Sequence, residues 1–145
     1  MALGTRTNLD RIPLEIFNKG RYELVDELYA PDYVDRTPLT GFAATRDGVK
    51  QAAMALKAGF PDLLYTIDDV IYTEDKTVHR LTASGTMTGD FLGMPATGKC
   101  ATWNEIHIGR VVDGRVVEHW GIANLLDAFV QLGVIPAPGK VAVAA

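Results

Sequence analysis

The side chains with the clearest chemical potential are concentrated in residues 103–124. Within this stretch Glu105 and His107 are two positions apart, so a β-strand places both on the same face. A carboxylate beside an imidazole in a poorly solvated pocket can act as a general base near neutral pH. A satisfied structural pair in a sheet has the same spacing, so the pattern alone leaves both interpretations open.

The position of His119 relative to this pair depends on one turn. Two strand-like runs meet at Asp113-Gly114, a strong hairpin signal. A two-residue type I′ turn sets His107 opposite Trp120, whereas a type I turn with a bulge at the glycine sets His107 opposite His119. Since a shift of one residue exchanges the two faces of a strand, the sequence does not decide whether His119 or Trp120 faces a pocket.

The rest of the chain predicts the scaffold for these residues. Apolar spacing predicts helices first and strands afterwards. We expect helices around residues 9–17, 22–29 and 45–59, an irregular connection at 32–38, strands at 64–74, 77–88, 101–112 and 115–122, and a last helix at 125–132. This order predicts a single α+β domain over residues 1–145, with a curved antiparallel sheet, helices packed on it and a cone-shaped pocket; residues 136–145 are expected to form a flexible tail.

Several large or polar side chains are candidates for that pocket. We expect its wall to include Tyr33, Phe60, Phe91, Met94, Trp103, Trp120 and Asn124. Asp35, in the predicted irregular connection, is a candidate for the pocket mouth, although an Asx-turn or a surface ion pair would suit it equally.

Composition excludes several classes of function. The 145 residues carry 14 Lys and Arg against 18 Asp and Glu, a formal net charge of −4 that does not favour nucleic acid binding. The single cysteine cannot form an internal disulfide, and we find no leader or membrane-spanning run, which predicts a cytoplasmic protein. The three histidines lack local metal-ligand spacing, so we expect neither a metal nor another cofactor.

Four segments resemble a known family. They are PDYVDRTP at 31–38, FPDL at 60–63, FLGMPATGK at 91–99 and NEIHIGRVVDGRVVEHWGIANLLDAFVQLG at 104–133. In this order they are similar to the SnoaL-like polyketide cyclases of the nuclear transport factor 2-like superfamily, from about residue 8 to residue 136. The resemblance implies an α+β cone around a deep pocket. It also implies a cofactor-free intramolecular aldol condensation that closes the last ring of an aromatic polyketide ester.

The resemblance also assigns residues to this chemistry. His107 matches a pocket histidine of the family, Glu105 stands where the cyclases have a glutamine, and Asp35 where they have an asparagine. The family's catalytic aspartate aligns with Gly121, which departs from the pattern. The resemblance then leaves Glu105 or Asp35 as the general base, His107 as the orienting or proton-transferring group and His119 as a donor to the carbonyl.

Two further classes of function remain open. The glycine at position 121 suits a noncatalytic small-molecule-binding module of the same fold, and the same pocket would also suit a hydrolase or a dehydratase. In each case we expect a hydrophobic small molecule as the ligand and no membrane partner. We further expect a homodimer or larger homo-oligomer, because an open sheet of this type commonly covers its convex face with another copy.

Overall fold

The computed structural model describes residues 8–139. Its elements in chain order are a 3-10 turn Asn8–Asp10, a π-helix Ile12–Phe17, α1 Leu24–Leu28, β1 Tyr29–Asp35, α2 Arg46–Gly59, β2 Leu64–Tyr72, β3 Lys76–Thr86, β4 Cys100–Val112, β5 Arg115–Ala123 and α3 Leu125–Gln131. The strands form one sheet in the order β1-β5-β4-β3-β2. The predicted α+β architecture is confirmed. Of the tail predicted from residue 136, residues 140–145 lie outside the described part.

Local signals account for the helix boundaries. Helix α2 begins after Thr45, whose hydroxyl caps it by accepting a hydrogen bond from the Gly48 amide at 3.2 Å. Pro13 lies in the first turn of the π-helix, where its missing amide hydrogen costs little. Gly20 follows with a φ of +68°, a left-handed conformation that ends the segment. None of the helices in residues 8–139 is long and apolar enough to cross a membrane.

The first strand corrects the predicted topology. Residues 32–38 were expected to form an irregular connection, but β1 continues to Asp35 and pairs in parallel with β5. The sheet is therefore mixed rather than wholly antiparallel. Pro31 favours extended backbone before it, and the pairing continues beyond the strand through the Arg36 amide, which donates to the His119 carbonyl at 2.9 Å. Asp35 is thereby placed beside His119.

The β4–β5 hairpin begins in the predicted type I′ register but leaves it before His107. Asp113 and Gly114 have φ values of +51° and +78°, as in a type I′ turn, and Val112 pairs with Arg115. A register shift follows, because Val111 pairs with Val116 while the next pair is Arg110 with Glu118. The extra residue is a β-bulge, and it moves every later pair by one position. His107 is consequently opposite Gly121, rather than opposite Trp120 or His119.

The helices pack on one face of the sheet and form the core there. One apolar cluster joins α3 to β2, β3 and β4 and contains Phe60, Phe91 and Trp103. A second cluster joins the amino-terminal helices to β1 and β5 and contains Ile16 and Val116. The cavity described below is lined by residues of both clusters.

Candidate active site

A cavity of about 400 Å³ lies between the helices and the inner face of the sheet. Its lining is mostly apolar and includes four of the predicted wall residues, Tyr33, Phe60, Phe91 and Trp103. Each of these side chains is buried. The volume falls within the range of roughly 300–1,000 Å³ that is typical of small-molecule sites.

Three predicted wall residues do not line the cavity. Met94 packs against the apolar cluster around Phe60. Trp120 is on the outer face of the sheet, opposite Ile108, because the bulge in β5 turns His119 and Gly121 inwards instead. Asn124 caps α3, where its side-chain oxygen accepts a hydrogen bond from the Asp127 amide. The structure therefore places these three residues outside the cavity lining, Trp120 because the bulge in β5 has no local sequence signal.

The four predicted catalytic residues form one hydrogen-bonded network along the cavity. Asp35 Oδ1 is 2.9 Å from His119 Nδ1, and His119 Nε2 is 2.9 Å from His107 Nδ1. His107 Nε2 is then 2.7 Å from Glu105 Oε2. All four residues line the cavity, and we call this set the carboxylate–imidazole network. It occupies all four ring nitrogens of His107 and His119.

Glu105 is the more enclosed end of this network, with a relative exposure of 7%. Its Oε1 accepts hydrogen bonds from Trp103 Nε1 at 2.7 Å and from the Tyr65 hydroxyl at 3.1 Å. Burial alone would raise the pKa of Glu105, but the hydrogen bond and charge of His107, with the other two donors, outweigh it and lower the pKa. Burial raises the pKa of Tyr65 far above its usual value, so its hydroxyl remains a donor.

Asp35 is the other end of the network. Its Oδ1 also accepts a hydrogen bond from the Thr37 amide at 2.9 Å, and the hydroxyl of buried Tyr33 bonds to the same carboxylate. Burial opposes ionisation here too, but His119 and these donors lower the pKa of Asp35 below its usual value. Both ends of the network are therefore carboxylates held in the ionised form.

Gly121 makes the contact between the two imidazoles possible. A Cβ at this position would overlap His107 Nδ1 and approach His119 Nε2 to 2.8 Å. The Gly121 amide is held in place by the Thr37 hydroxyl at 2.7 Å. The imidazole–imidazole hydrogen bond therefore requires a residue without a side chain at position 121.

A second carboxylate–imidazole pair lies beside the network and was not among the predicted site residues. His79 lines the cavity, and its Nε2 is 2.7 Å from Asp10 Oδ1. Alternation along β3 gave a usable signal, because Thr77, His79, Leu81 and Ala83 share its buried face. The partner Asp10 is 69 positions away in the sequence, so the pairing itself had no local signal. Tyr65 was missed for the same reason.

Across residues 8–139, no group of three or more His, Cys, Asp or Glu side chains is arranged to hold a metal ion. The histidines and carboxylates of the cavity are instead hydrogen-bonded to one another.

An α+β fold that encloses a deep, largely apolar cavity with a few converging polar groups is suited to taking a small molecule into its interior. The chain belongs to the SnoaL-like polyketide cyclase family, whose model matches residues 7–132. The aklanonic acid methyl ester cyclase DnrD of Streptomyces peucetius is 28% identical over 135 residues, 90% of this chain and 92% of the relative. The nogalonic acid methyl ester cyclase of Streptomyces nogalater is 28% identical over 119 residues, 81% and 89% of the two chains.

Solved structures agree with this assignment. TsrD from Streptomyces laurentii has a TM-score of 0.85 and 29% identity, covering 93% of this chain and 99% of its own. IdmH from Streptomyces antibioticus has a TM-score of 0.74 and 35% identity, covering 90% and 96%. The family that the sequence motifs predicted is confirmed.

Proposed function

We propose that this chain is an enzyme that closes a ring in a hydrophobic, multi-carbonyl small molecule by intramolecular aldol condensation, with no cofactor. The methyl ester of an aromatic polyketide acid is the substrate class, because the curated relatives are named for such esters. The observation that carries the proposal is the carboxylate–imidazole network along an otherwise apolar cavity.

The number of protons in the network suggests its role. Its three hydrogen bonds need three hydrogens, and with both carboxylates ionised all three belong to the imidazoles. Two neutral imidazoles carry only two, so we infer that His107 and His119 share one additional proton. The four residues then carry a net charge of −1, with a shared imidazolium between two carboxylates.

A shared imidazolium beside an apolar cavity suits the stabilisation of a negatively charged oxygen. Aldol closure produces an enolate oxygen first and an alkoxide oxygen after the new carbon–carbon bond forms. Because all four ring nitrogens are paired within the network, an imidazolium N–H has to turn from its partner to the substrate oxygen. Such a charged donor is worth more in a water-poor cavity than in solvent. We therefore give His107 and His119 the electrophilic role.

The environment of Glu105 favours a supporting role over that of the base. Both of its oxygens already accept hydrogen bonds, and the donors lower its pKa. In this proposal Glu105 and Asp35 hold the imidazolium from its two sides. Removal of the substrate proton then needs a separate group with a free lone pair.

Replacing Glu105 tests the network. In Glu105→Gln the charge that holds His107 is lost, so we expect kcat to fall by about 100-fold or more while the protein stays folded. The measurement is turnover of aklanonic acid methyl ester by mass spectrometry, with circular dichroism as the check on folding. Glu23→Gln is the matched control, since Glu23 is an exposed carboxylate that bonds only to Arg21 among side chains of the described residues. Unchanged kcat in Glu105→Gln would contradict the network's role.

Gly121 favours one other candidate function, noncatalytic binding. By resemblance this position holds the catalytic aspartate of the cyclases, and a side chain there would displace His107. A binding module would be stabilised by the ligand through mass action and would release it unchanged. Thermal shift with aklanonic and nogalonic acid methyl esters, followed by mass analysis of the recovered ligand, separates the two functions.

A further inference from the structure

Within residues 8–139, His79 differs from the other two histidines because one of its ring nitrogens has no hydrogen-bond partner. Its Nε2 is bonded to Asp10, and its Nδ1 has no hydrogen-bond partner among residues 8–139. His79 is only 7% exposed, yet no fully enclosed side-chain nitrogen or oxygen in the described part of the chain lacks a partner. The Nδ1 atom is therefore accessible, and the cavity that His79 lines is the space beside it.

His79 is also close enough to the carboxylate–imidazole network for one ligand to contact both. Strands β3 and β4 pair His79 directly with His107, and both side chains line the cavity. Side chains opposite each other on neighbouring antiparallel strands have Cβ atoms about 4.5–5.5 Å apart. A substrate whose carbonyl oxygen lies near His107 would therefore have adjacent carbon atoms within reach of His79.

Asp10 fixes the form of the imidazole. Its carboxylate accepts a hydrogen bond from Nε2–H at 2.7 Å, which leaves a lone pair on Nδ1 in neutral His79. The Tyr72 hydroxyl bonds to the same carboxylate and supports it. A carboxylate that holds one nitrogen while the other faces the reactants is the arrangement that orients a histidine general base.

We infer that His79 is the base of the reaction and that Asp10 is its positioning residue; this inference rests on the proposed aldol closure. Nδ1 takes the proton from the carbon next to the carbonyl, and the electrons of that C–H bond form the enolate. The enolate carbon then attacks the second carbonyl carbon, and the π electrons of that carbonyl move to its oxygen. The resulting alkoxide takes the proton back from Nδ1–H. Atoms and charge balance, and no oxidant or further reactant is needed.

The test separates proton removal from ring closure. Wild type and variants are incubated in D₂O with aklanonic acid methyl ester, nogalonic acid methyl ester and a soluble 1,3-diketone. Mass spectrometry then measures deuterium incorporation at carbon and the yield of cyclised product. We expect His79→Gln to lower both rates by about 100-fold or more, because loss of a general base typically costs 10²–10⁴-fold, with KM changed by less than about threefold.

Two further variants distinguish chemistry from structure. His79→Ala is expected to recover exchange when imidazole is added, which a purely structural role would not allow. Asp10→Asn is expected to lower kcat with little change in KM, since the correct tautomer is no longer fixed. Asp26→Asn is the control, because Asp26 is an exposed carboxylate paired with Arg46 and Lys50.

Each outcome bears on a separate claim. Wild-type turnover with undiminished exchange in His79→Gln would overturn the assignment of the base and leave the cyclase proposal standing. Exchange that depends on His79 without ring closure would support the base and overturn the cyclase. Absence of exchange in the wild type with every probe would overturn the base assignment.

Discussion

At the scale of single residues, Gly121 and His119 depend on each other. The hydrogen bond between His119 and His107 uses the space that a Cβ at position 121 would occupy. In the cyclases that this sequence resembles, that position is a catalytic aspartate. The contact between the two imidazoles and the absence of a side chain at position 121 therefore belong together, and an aspartate here would disrupt the network.

Gly121→Ala tests this dependence. The added methyl group has to displace His107 or His119, so we expect loss of the imidazole–imidazole hydrogen bond and a fall in kcat of about 10-fold or more. Imidazole ¹⁵N NMR measures the bond, and denaturant unfolding checks stability, for which crowding typically costs about 1–3 kcal/mol. Gly139→Ala is the control because a Cβ there meets open space. Unchanged imidazole spectra in Gly121→Ala would contradict the prediction.

The residue scale also shows what sequence could and could not predict about the site. Glu105 and His107 were found because they are two apart on one strand. Asp35 and His119 were found through resemblance and hairpin position. Asp10 could not be assigned, because its contact with His79 joins segments 69 residues apart. Side-chain chemistry was therefore predictable where strand alternation or a motif constrained it.

At the scale of elements, the sequence predicted the features that depend on neighbouring residues. It did not predict the features that depend on pairing between distant strands. The start of α2 near residue 45 and the turn at Asp113-Gly114 depend on a few neighbouring residues. Strand β1 depends on β5, its partner more than 80 positions later, and the bulge at residue 117 depends on how two strands fit. These two features nevertheless decide which side chains reach the cavity.

Strand β1 is at the edge of the sheet, and the Asp35–His119 contact fixes its end. The pKa of Asp35 is lowered in the folded protein, so its stabilising effect is complete above the ordinary value of 3.8 and is lost as pH falls through the folded-state value. We expect amides of β1 to lose protection from hydrogen exchange as pH falls below about 4, once intrinsic exchange rates are corrected for pH.

Strand β3 serves as the internal control for this experiment, since it lies between β2 and β4. Asp35→Asn should remove the acid-dependent part of the change in β1 protection. Equal loss of protection in β1 and β3 would show global unfolding instead and contradict a local role for Asp35.

At the scale of the whole molecule, the outer face of the sheet carries an apolar patch. Ile106 and Ile122 are directly paired across β4 and β5 and are 51% and 72% exposed, with the Ile108–Trp120 pair beside them. An apolar patch on a soluble protein commonly marks an interface. A second copy of the chain presents the same patch, so a two-fold arrangement would cover both, and we predict a homodimer or larger homo-oligomer through this face.

Ile122→Glu tests that assembly. Burying a carboxylate in an apolar interface is unfavourable, so we expect the variant to sediment as a monomer under conditions in which the wild type is dimeric or larger. Met54→Glu is the control, since Met54 is a similarly exposed apolar residue on α2, away from the sheet. A monomeric wild type in sedimentation velocity would contradict the prediction.

The bulge in β5 separates the chain's two tryptophans, because Trp103 lines the cavity while Trp120 is on the outer face. The Trp103 indole also donates a hydrogen bond to Glu105, so its emission is coupled to the electrostatics of the site. A Trp120→Phe chain would therefore carry one tryptophan, located in the wall of the cavity. Occupancy could then be followed optically in real time, without a label and without a chemical reaction.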